Sequence, residues 1–293
     1  MNRENFGKLI VTLRQERIDY DTGQPWSRRT LATETGISYD VLGNLETGRK
    51  TNLQQDDLIA LANAFQLSTG ERREFFSAAN GIDTKHLVAE QNSPEVVLEH
   101  CREVLETIRS PAILVDPFFD LLAVNMAAVY LFSLQDSDYL DWRNQPYPHN
   151  ILTYLLDPTI GNPGRLIGRN YREFLTRNVM NYRIRSLPHR HKPYFKAQIA
   201  RFQKSYPIFQ SLWAETQQMD EDIFLGLPYT VTTKNWGVLR IMGSLLAFPT
   251  EFGNLEIIIE HPADDHTSTV LPNLIKTAGH GFIKLYNWPE KPL

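Results

Sequence analysis

The stretch from Ser27 to Arg49, SRRTLATETGISYDVLGNLETGR, constrains this chain more than any other. Two short helical patterns meet there at a glycine. Leu31 and Ala32 belong to the first, Val41, Leu42 and Leu45 to the second, and Gly36 stands between them. Ser27 and Ser38 each precede a helical run, where a hydroxyl accepts from the backbone N–H groups that a helix start leaves free. Two short helices joined by a tight Gly-containing turn make a helix-turn-helix, whose second helix fits the DNA major groove.

The flanking sequence supplies a domain around this element. Phe6, Leu9, Ile10 and Leu13 recur at helical spacing and predict a helix from about Glu4 to Arg17. IDYDTGQP breaks the pattern as a loop. After Gly48, Leu58, Ile59, Leu61, Ala62 and Phe65 restore the helical period, and Ser68 with Glu71 three residues on predicts a capping box opening a fifth helix. Residues 1–80 therefore read as a five-helix all-α DNA-binding domain, and 81–94, GIDTKHLVAEQNS and its surroundings, as a linker.

At 293 residues the chain has room for a second core. Its formal net charge of −4 offers no broad basic surface, so DNA affinity has to come from clustered bases. Neither a signal-type N-terminus nor an apolar run of about 18 residues is present, which predicts a cytoplasmic protein without a membrane role. A single cysteine, Cys101, excludes an intramolecular disulfide and a multi-cysteine zinc site; within EVVLEHCREVLETI it reads as a buried structural thiol.

Ser93-Pro94 opens a helix with Val96, Val97, Cys101, Val104, Leu105 and Ile108 on one side. AILVD and LLAVN, separated by PFFD, read as two strands, and MAAVYLF as the helix after them. Helical patterns fill 165–217, and YTVTT, VLRIMGSLLAF and NLEIIIE return to strands. The chain is thus α+β: an N-terminal helical domain, then a PAS-like sensor domain with an antiparallel sheet and added helices over 95–270, then a C-terminal extension, 271–293.

The order Arg14, Ser27, Leu31-Ala32, Gly36, Ser38, Leu45-Glu46, Gly48 resembles the XRE family of helix-turn-helix regulators, with one departure, the inserted Ile18 to Pro25. The resemblance implies that Arg28 faces a phosphate or base edge, that Tyr39, Asp40 and Asn44 face the groove just after the cap Ser38, and that Arg14 pairs internally with Glu46. Positions 39, 40 and 44 also lie opposite the apolar face of the recognition helix. Asn44 suits adenine, Asp40 a cytosine amino group, and Tyr39 a hydroxyl or thymine-methyl contact. Arg29, Arg49, Lys50 and Asn52 suit phosphates. A recognition helix this short reads few bases, so a homodimer on a double-stranded operator is expected.

The second half resembles the ligand-binding domain of MmyB-like transcription regulators through Pro111 to Asp116, Leu122 to Asn125, Asn150-Ile151-Leu152, Leu156-Asp157-Pro158, Ser205-Tyr206-Pro207 and Leu212-Trp213-Ala214. It implies a small, largely apolar effector, fatty-acid-like in some members, and no obligatory cofactor. Phe118, Phe119, Tyr130, Phe132, Tyr182, Phe202, Phe209 and Trp213 offer aromatic walls, with Asn125, Arg183 and Arg185 as polar anchors; a buried arginine needs an acidic partner, and a ligand carboxylate would serve.

Between Gly161 and Lys204 stand eleven Arg or Lys residues against one acid, Glu173. That stretch reads as a second nucleic-acid surface, an acidic-ligand funnel, or a helical face paired with acids at 215–222 and 251–265. Glu260, His261, Asp264, Asp265 and His266 have metal-ligand chemistry but read as a surface turn. No Gly-x-Ser-x-Gly, His-Glu-x-x-His or phosphate loop supports catalysis. The chain therefore reads as a non-enzymatic, effector-responsive transcription regulator; the alternatives are an adaptor whose second domain binds a protein, or an enzyme with a DNA-binding appendage.

Overall fold

The computed structural model describes residues 1–50, 54–80, 93–134, 149–159, 163–217, 219, 227–248, 250 and 253–291. Most of the expected linker, 81–92, lies outside the described residues, as does Asn52.

The N-terminal helices are α1 (Arg3–Glu16), α2 (Arg28–Thr35), α3 (Tyr39–Glu46), α4 (Gln55–Ala64) and α5 (Thr69–Ala79). Local chemistry sets their ends. Ser27 and Ser38 accept from the backbone N–H of Thr30 and Val41, and α2 stops at Gly36, whose φ of 70° suits glycine. Both halves of the Ser68–Glu71 capping box are present. Phe6, Leu9, Ile10, Leu13, Leu31, Leu42, Leu45, Leu61 and Phe75 form the core of these helices. Helices α1 and α3 touch through their backbones: a Cβ on Gly7 would stand 2.4 Å from the Glu46 carbonyl oxygen. The insertion between α1 and α2 closes on itself through an Ile18–Pro25 bridge, with Asp19 accepting from the N–H of Asp21 and Thr22. It bulges outward and leaves α1 packed on α3.

The rest of the chain builds an antiparallel six-stranded sheet ordered β3-β4-β5-β1-β2-β6. Its strands are β1 (Ala112–Val115), β2 (Leu121–Asn125), β3 (Tyr229–Thr233), β4 (Gly237–Phe248), β5 (Leu255–Pro262) and β6 (Phe282–Lys284). The helices are α6 (Pro94–Thr107), α7 (Met126–Leu131), α8 (Ile151–Leu156), α9 (Pro163–Ile167), α10 (Tyr171–Arg185), α11 (Pro193–Ser205), α12 (Pro207–Gln217) and α13 (Asp265–Ala278). Helix α6 covers one face of the sheet, packing Leu98, Cys101 and Leu105 against Leu114, Leu122 and Ile257. The buried stripe of α6 is Leu98, Cys101, Arg102 and Leu105, with Val97, Val104 and Ile108 partly buried beside it and Val96 exposed. On the opposite face, Val124, Val231, Leu239 and Ile241 pack with α7, α9 and α13. Helices α8, α10, α11 and α12 form a third cluster with Phe118 and Phe119. Burial pushes the Cys101 thiol up to about 12, so it stays protonated.

Residues beyond 271 are built into this fold. Helix α13 runs across that position, β6 pairs with β2, and Trp288 is buried. Lys291 Nζ lies 2.5 Å from both Asp116 Oδ2 and Asp120 Oδ2. Among the described residues no helix is long and apolar enough to cross a membrane.

Candidate functional site

Three places carry the candidate chemistry: the exposed face of α3, the junction between the two halves, and a cavity under the sheet. On α3 and around it, Arg29, Ser38, Tyr39, Asp40, Asn44 and Arg49 are exposed. The carbonyl of Asn44 accepts from the backbone N–H of Arg49 and Lys50 at 2.8 and 3.1 Å, which fixes the turn leaving the recognition helix. Glu46 is buried beneath this face and takes Arg14 Nε on one oxygen at 2.8 Å and Arg28 on the other at 2.7 Å. Arg28 thus holds the fold: its guanidinium is engaged by Glu46 and lies 5.1 Å from the Tyr39 ring centroid. Lys50 Nζ lies 3.2 Å from Asp57 Oδ2.

The junction centres on Glu71 of α5, which is fully buried. One oxygen completes the capping box by accepting from Ser68 N–H; the other meets Arg190 Nη2 at 2.5 Å and Arg183 Nε at 2.9 Å, both from the second half. Arg190 also donates to Glu16 at the end of α1, at 3.0 Å. Burial by itself pushes the Glu71 carboxyl up, but the Arg190 and Arg183 guanidiniums outweigh it and hold it below its ordinary value. Apolar contact accompanies the charges. Leu187 joins the N-terminal core, and a Cβ on Gly70 would stand 2.6 Å from Ile184 Cδ1.

Much of the basic stretch 161–204 is absorbed in such pairs. Arg172 reaches Glu215, Arg177 reaches Glu173, Arg185 reaches Glu256, and Arg183 and Arg190 reach the N-terminal domain. Acids at 215 and 256 fall within the segments from which the sequence predicts partners; Glu16 and Glu71 do not. Nothing local signals it, because 119 residues separate Glu71 from Arg190.

The cavity, ≈ 100 Å³, lies between α10 and the sheet. Its walls include Val124, Phe132, Tyr154, Phe174, Ile258 and Leu285. Glu260 of β5 faces it, opposite Gly243 of β4, whose missing side chain leaves the carboxylate uncovered: a Cβ there would be 3.5 Å from Glu260 Oε2. Glu260 is 5 % exposed, lies by the Tyr229 hydroxyl, and leaves Oε2 without a partner. Burial pushes its carboxyl up to about 7. From α10 come Phe174, Arg177, Asn178 and Asn181, an i, i+3, i+4, i+7 stripe.

The expected ligand anchors lie elsewhere. Asn125 caps α7 by accepting from Ala128 N–H, and ties down the approach to β1 through Ile108 O, Ser110 O and Ala112 N–H, so its amide is saturated. Arg183 needs no ligand carboxylate because Glu71 is its acid, and Arg185 is met by Glu256. Tyr182, Phe209 and Trp213 pack together in the third cluster, where Tyr182 donates to Gln198. None of the six lines the cavity. Of the expected aromatic walls Phe132 does, whereas Tyr130 is exposed. Sequence reasoning missed Glu260 by grouping it with the turn after it; the available signal was one acid ending the apolar strand Ile257-Ile258-Ile259. His261 instead meets Ser244, and Asp264 caps α13. Among the described residues no three His, Cys, Asp or Glu side chains converge on a metal position.

Comparison with known proteins adds to this geometry. A family model for the MmyB-like transcription regulator ligand binding domain matches residues 97–274, and a helix-turn-helix model matches residues 25–72. No curated protein matches the chain. A DNA-reading motif gripped by a domain with its own ligand-sized cavity is the build of a regulator: the chain is a DNA-binding transcription regulator with a ligand-binding domain, and it belongs to the MmyB-like family.

Proposed function

We propose that α3 reads a double-stranded operator and that the cavity is the effector site whose occupation changes how the helix-turn-helix is held. The observation carrying this is the double use of α10. Its middle, Phe174 to Asn181, lines the cavity, and its end, Arg183 and Ile184, grips α5. A ligand that prefers one placement of α10 biases the DNA-binding domain by the difference in its affinity for the two placements. The effector is compact and largely apolar: a water needs roughly 10–15 Å³ of such space, so the cavity suits a ligand of several heavy atoms, the short end of a fatty-acid-like class. The entry strands with α7, and the antiparallel sheet, support the PAS-like reading. Tyr39, Asp40 and Asn44 specify bases, while Arg29, Arg49 and Lys50 hold phosphates. A homodimer in the cytoplasm places two recognition helices on half-sites about 34–36 Å apart.

The test is operator binding by the full chain across a salt series. Affinity should fall steeply with salt, and Asn44→Ala should lose about 1–3 kcal/mol of preference between operator and random DNA. An unchanged preference with an intact fold removes Asn44 from the reading face.

A further inference from the structure

Helix α6 stands on only part of its face of the sheet, over β1, β2, β5 and β6. The same face continues onto β4. Ser244 and Leu246 pair with Ile259 and Ile257, which belong to the α6 side, and the strand period of two adds Val238, Arg240 and Met242 to that row. All five side chains are exposed. The solvated face of an antiparallel sheet ordinarily reads polar, yet Val238, Met242 and Leu246 here alternate with Arg240 and Ser244, and Val238 is 55 % exposed. Ser244 Oγ meets His261 Nε2 at 2.7 Å, so the hydroxyl has a partner within the sheet and can be covered without loss.

The helix beside this bare strip has a matching outer edge. Val96, His100 and Glu103 fall at i, i+4 and i+7, and all three are exposed. His100 packs edge-on against Phe248 at the end of β4, with 6.2 Å between ring centroids, which sets this edge of α6 next to the strip. Half of the face is therefore a raised helix with an apolar residue and an acid, and half is a floor with apolar residues and a cation. We infer that this step is the homodimer interface: α6 of each copy seats on the β4 strip of the other, Val96 on the apolar floor and Glu103 against Arg240 of the partner subunit. This rests on the homodimer reading above and gives it a surface. The occupant is a second copy because ridge and floor, acid and cation, stand side by side on one surface, so that the surface turned by a two-fold axis completes itself. Met242, at the centre of the strip, is of a residue type enriched in such interfaces.

The experiment measures the mass of the full chain in solution by size exclusion with light scattering, over a range of about 1 to 100 μM. The unaltered chain should run at twice its own mass. Met242→Glu sets a carboxylate in the middle of the apolar contact and should raise the dissociation constant at least about a hundredfold, with circular dichroism confirming that the variant is folded. If it is not, Val238→Glu, at the more exposed end of the strip, makes the same test with the same expected loss. Arg240→Glu should weaken the dimer at least about tenfold, and adding Glu103→Arg should restore most of it, since the two charges exchange places across the axis. A dimer that these glutamates leave intact, or an Arg240→Glu loss that Glu103→Arg does not reverse, overturns the assigned face and leaves the homodimer standing. A chain that stays monomeric over the whole range overturns the homodimer and the face together.

Discussion

Two buried glutamates in this molecule have opposite circumstances. Glu71, at the junction, is surrounded by donors: Arg183, Arg190 and the Ser68 N–H. Glu260, in the cavity, has one phenol and an empty side. Burial raises both carboxyls, and only at Glu71 do neighbouring cations reverse the effect. A carboxylate whose partners come from the protein holds two domains together. One left with an unpartnered oxygen beside a cavity bears its burial uncompensated.

The same substitution therefore has opposite consequences at the two sites. Glu71→Gln leaves Arg183 and Arg190 buried with only Glu16 to answer them, and should cost about 3–5 kcal/mol in urea unfolding. The sign of its pH dependence follows from the lowered carboxyl. With a folded pKa below the ordinary value of about 4.3, the stabilisation is complete above that pH and is lost as pH falls through the lowered folded pKa. The gap between the unaltered chain and Glu71→Gln should thus shrink on acidification. A gap under about 1 kcal/mol at pH 7 would reduce the junction to a surface-type contact.

At Glu260 the folded carboxyl titrates near 7 against an ordinary value of about 4.3. Its stability contribution is complete below the ordinary value and is lost as pH rises through 7. Gln does not titrate, so Glu260→Gln should gain on the unaltered chain between pH 5 and pH 8, by about 1–3 kcal/mol at the upper end. A Tm difference that stays flat across this range would mean that Glu260 is solvated, and the contrast between the two glutamates would fail.

How far these sites can be read from sequence depends on the span of the contacts that make them. Ser27, Ser38 and the Ser68–Glu71 box act over three residues, and each appears where its spacing predicts it. Arg14 with Glu46 is longer in range but follows from the family resemblance. The second role of Glu71 is invisible because its arginines lie more than a hundred residues on, and Lys291 reaches Asp120 across 171 residues. Asn125 misled for a different reason. A polar residue in an apolar run suggests a ligand anchor, yet it stands immediately before MAAVYLF, in the position of a helix cap, and caps is what it does.

The smallest effect tests whether the junction is a fitted surface or only a charge cluster. Gly70 allows α5 and α10 to approach, and its absent Cβ would stand 2.6 Å from Ile184 Cδ1 and 3.0 Å from Cγ1. Alanine is favoured over glycine within a helix by about 1 kcal/mol, and overpacking costs about 1–3 kcal/mol, so Gly70→Ala should destabilise by a net ~1 kcal/mol. Ile184→Val removes the Cδ1 that blocks the new methyl, at a cost of its own of about 0.5–1.5 kcal/mol. If the two elements fit as described, the double variant should be more stable than the sum of the singles allows, because the valine makes room for the alanine. Simple additivity in chemical denaturation would mean that α5 and α10 separate to accept the methyl. In that case the apolar contact could not carry a change at the cavity to the DNA-binding half, and the ion pairs of Glu71 would have to do so alone.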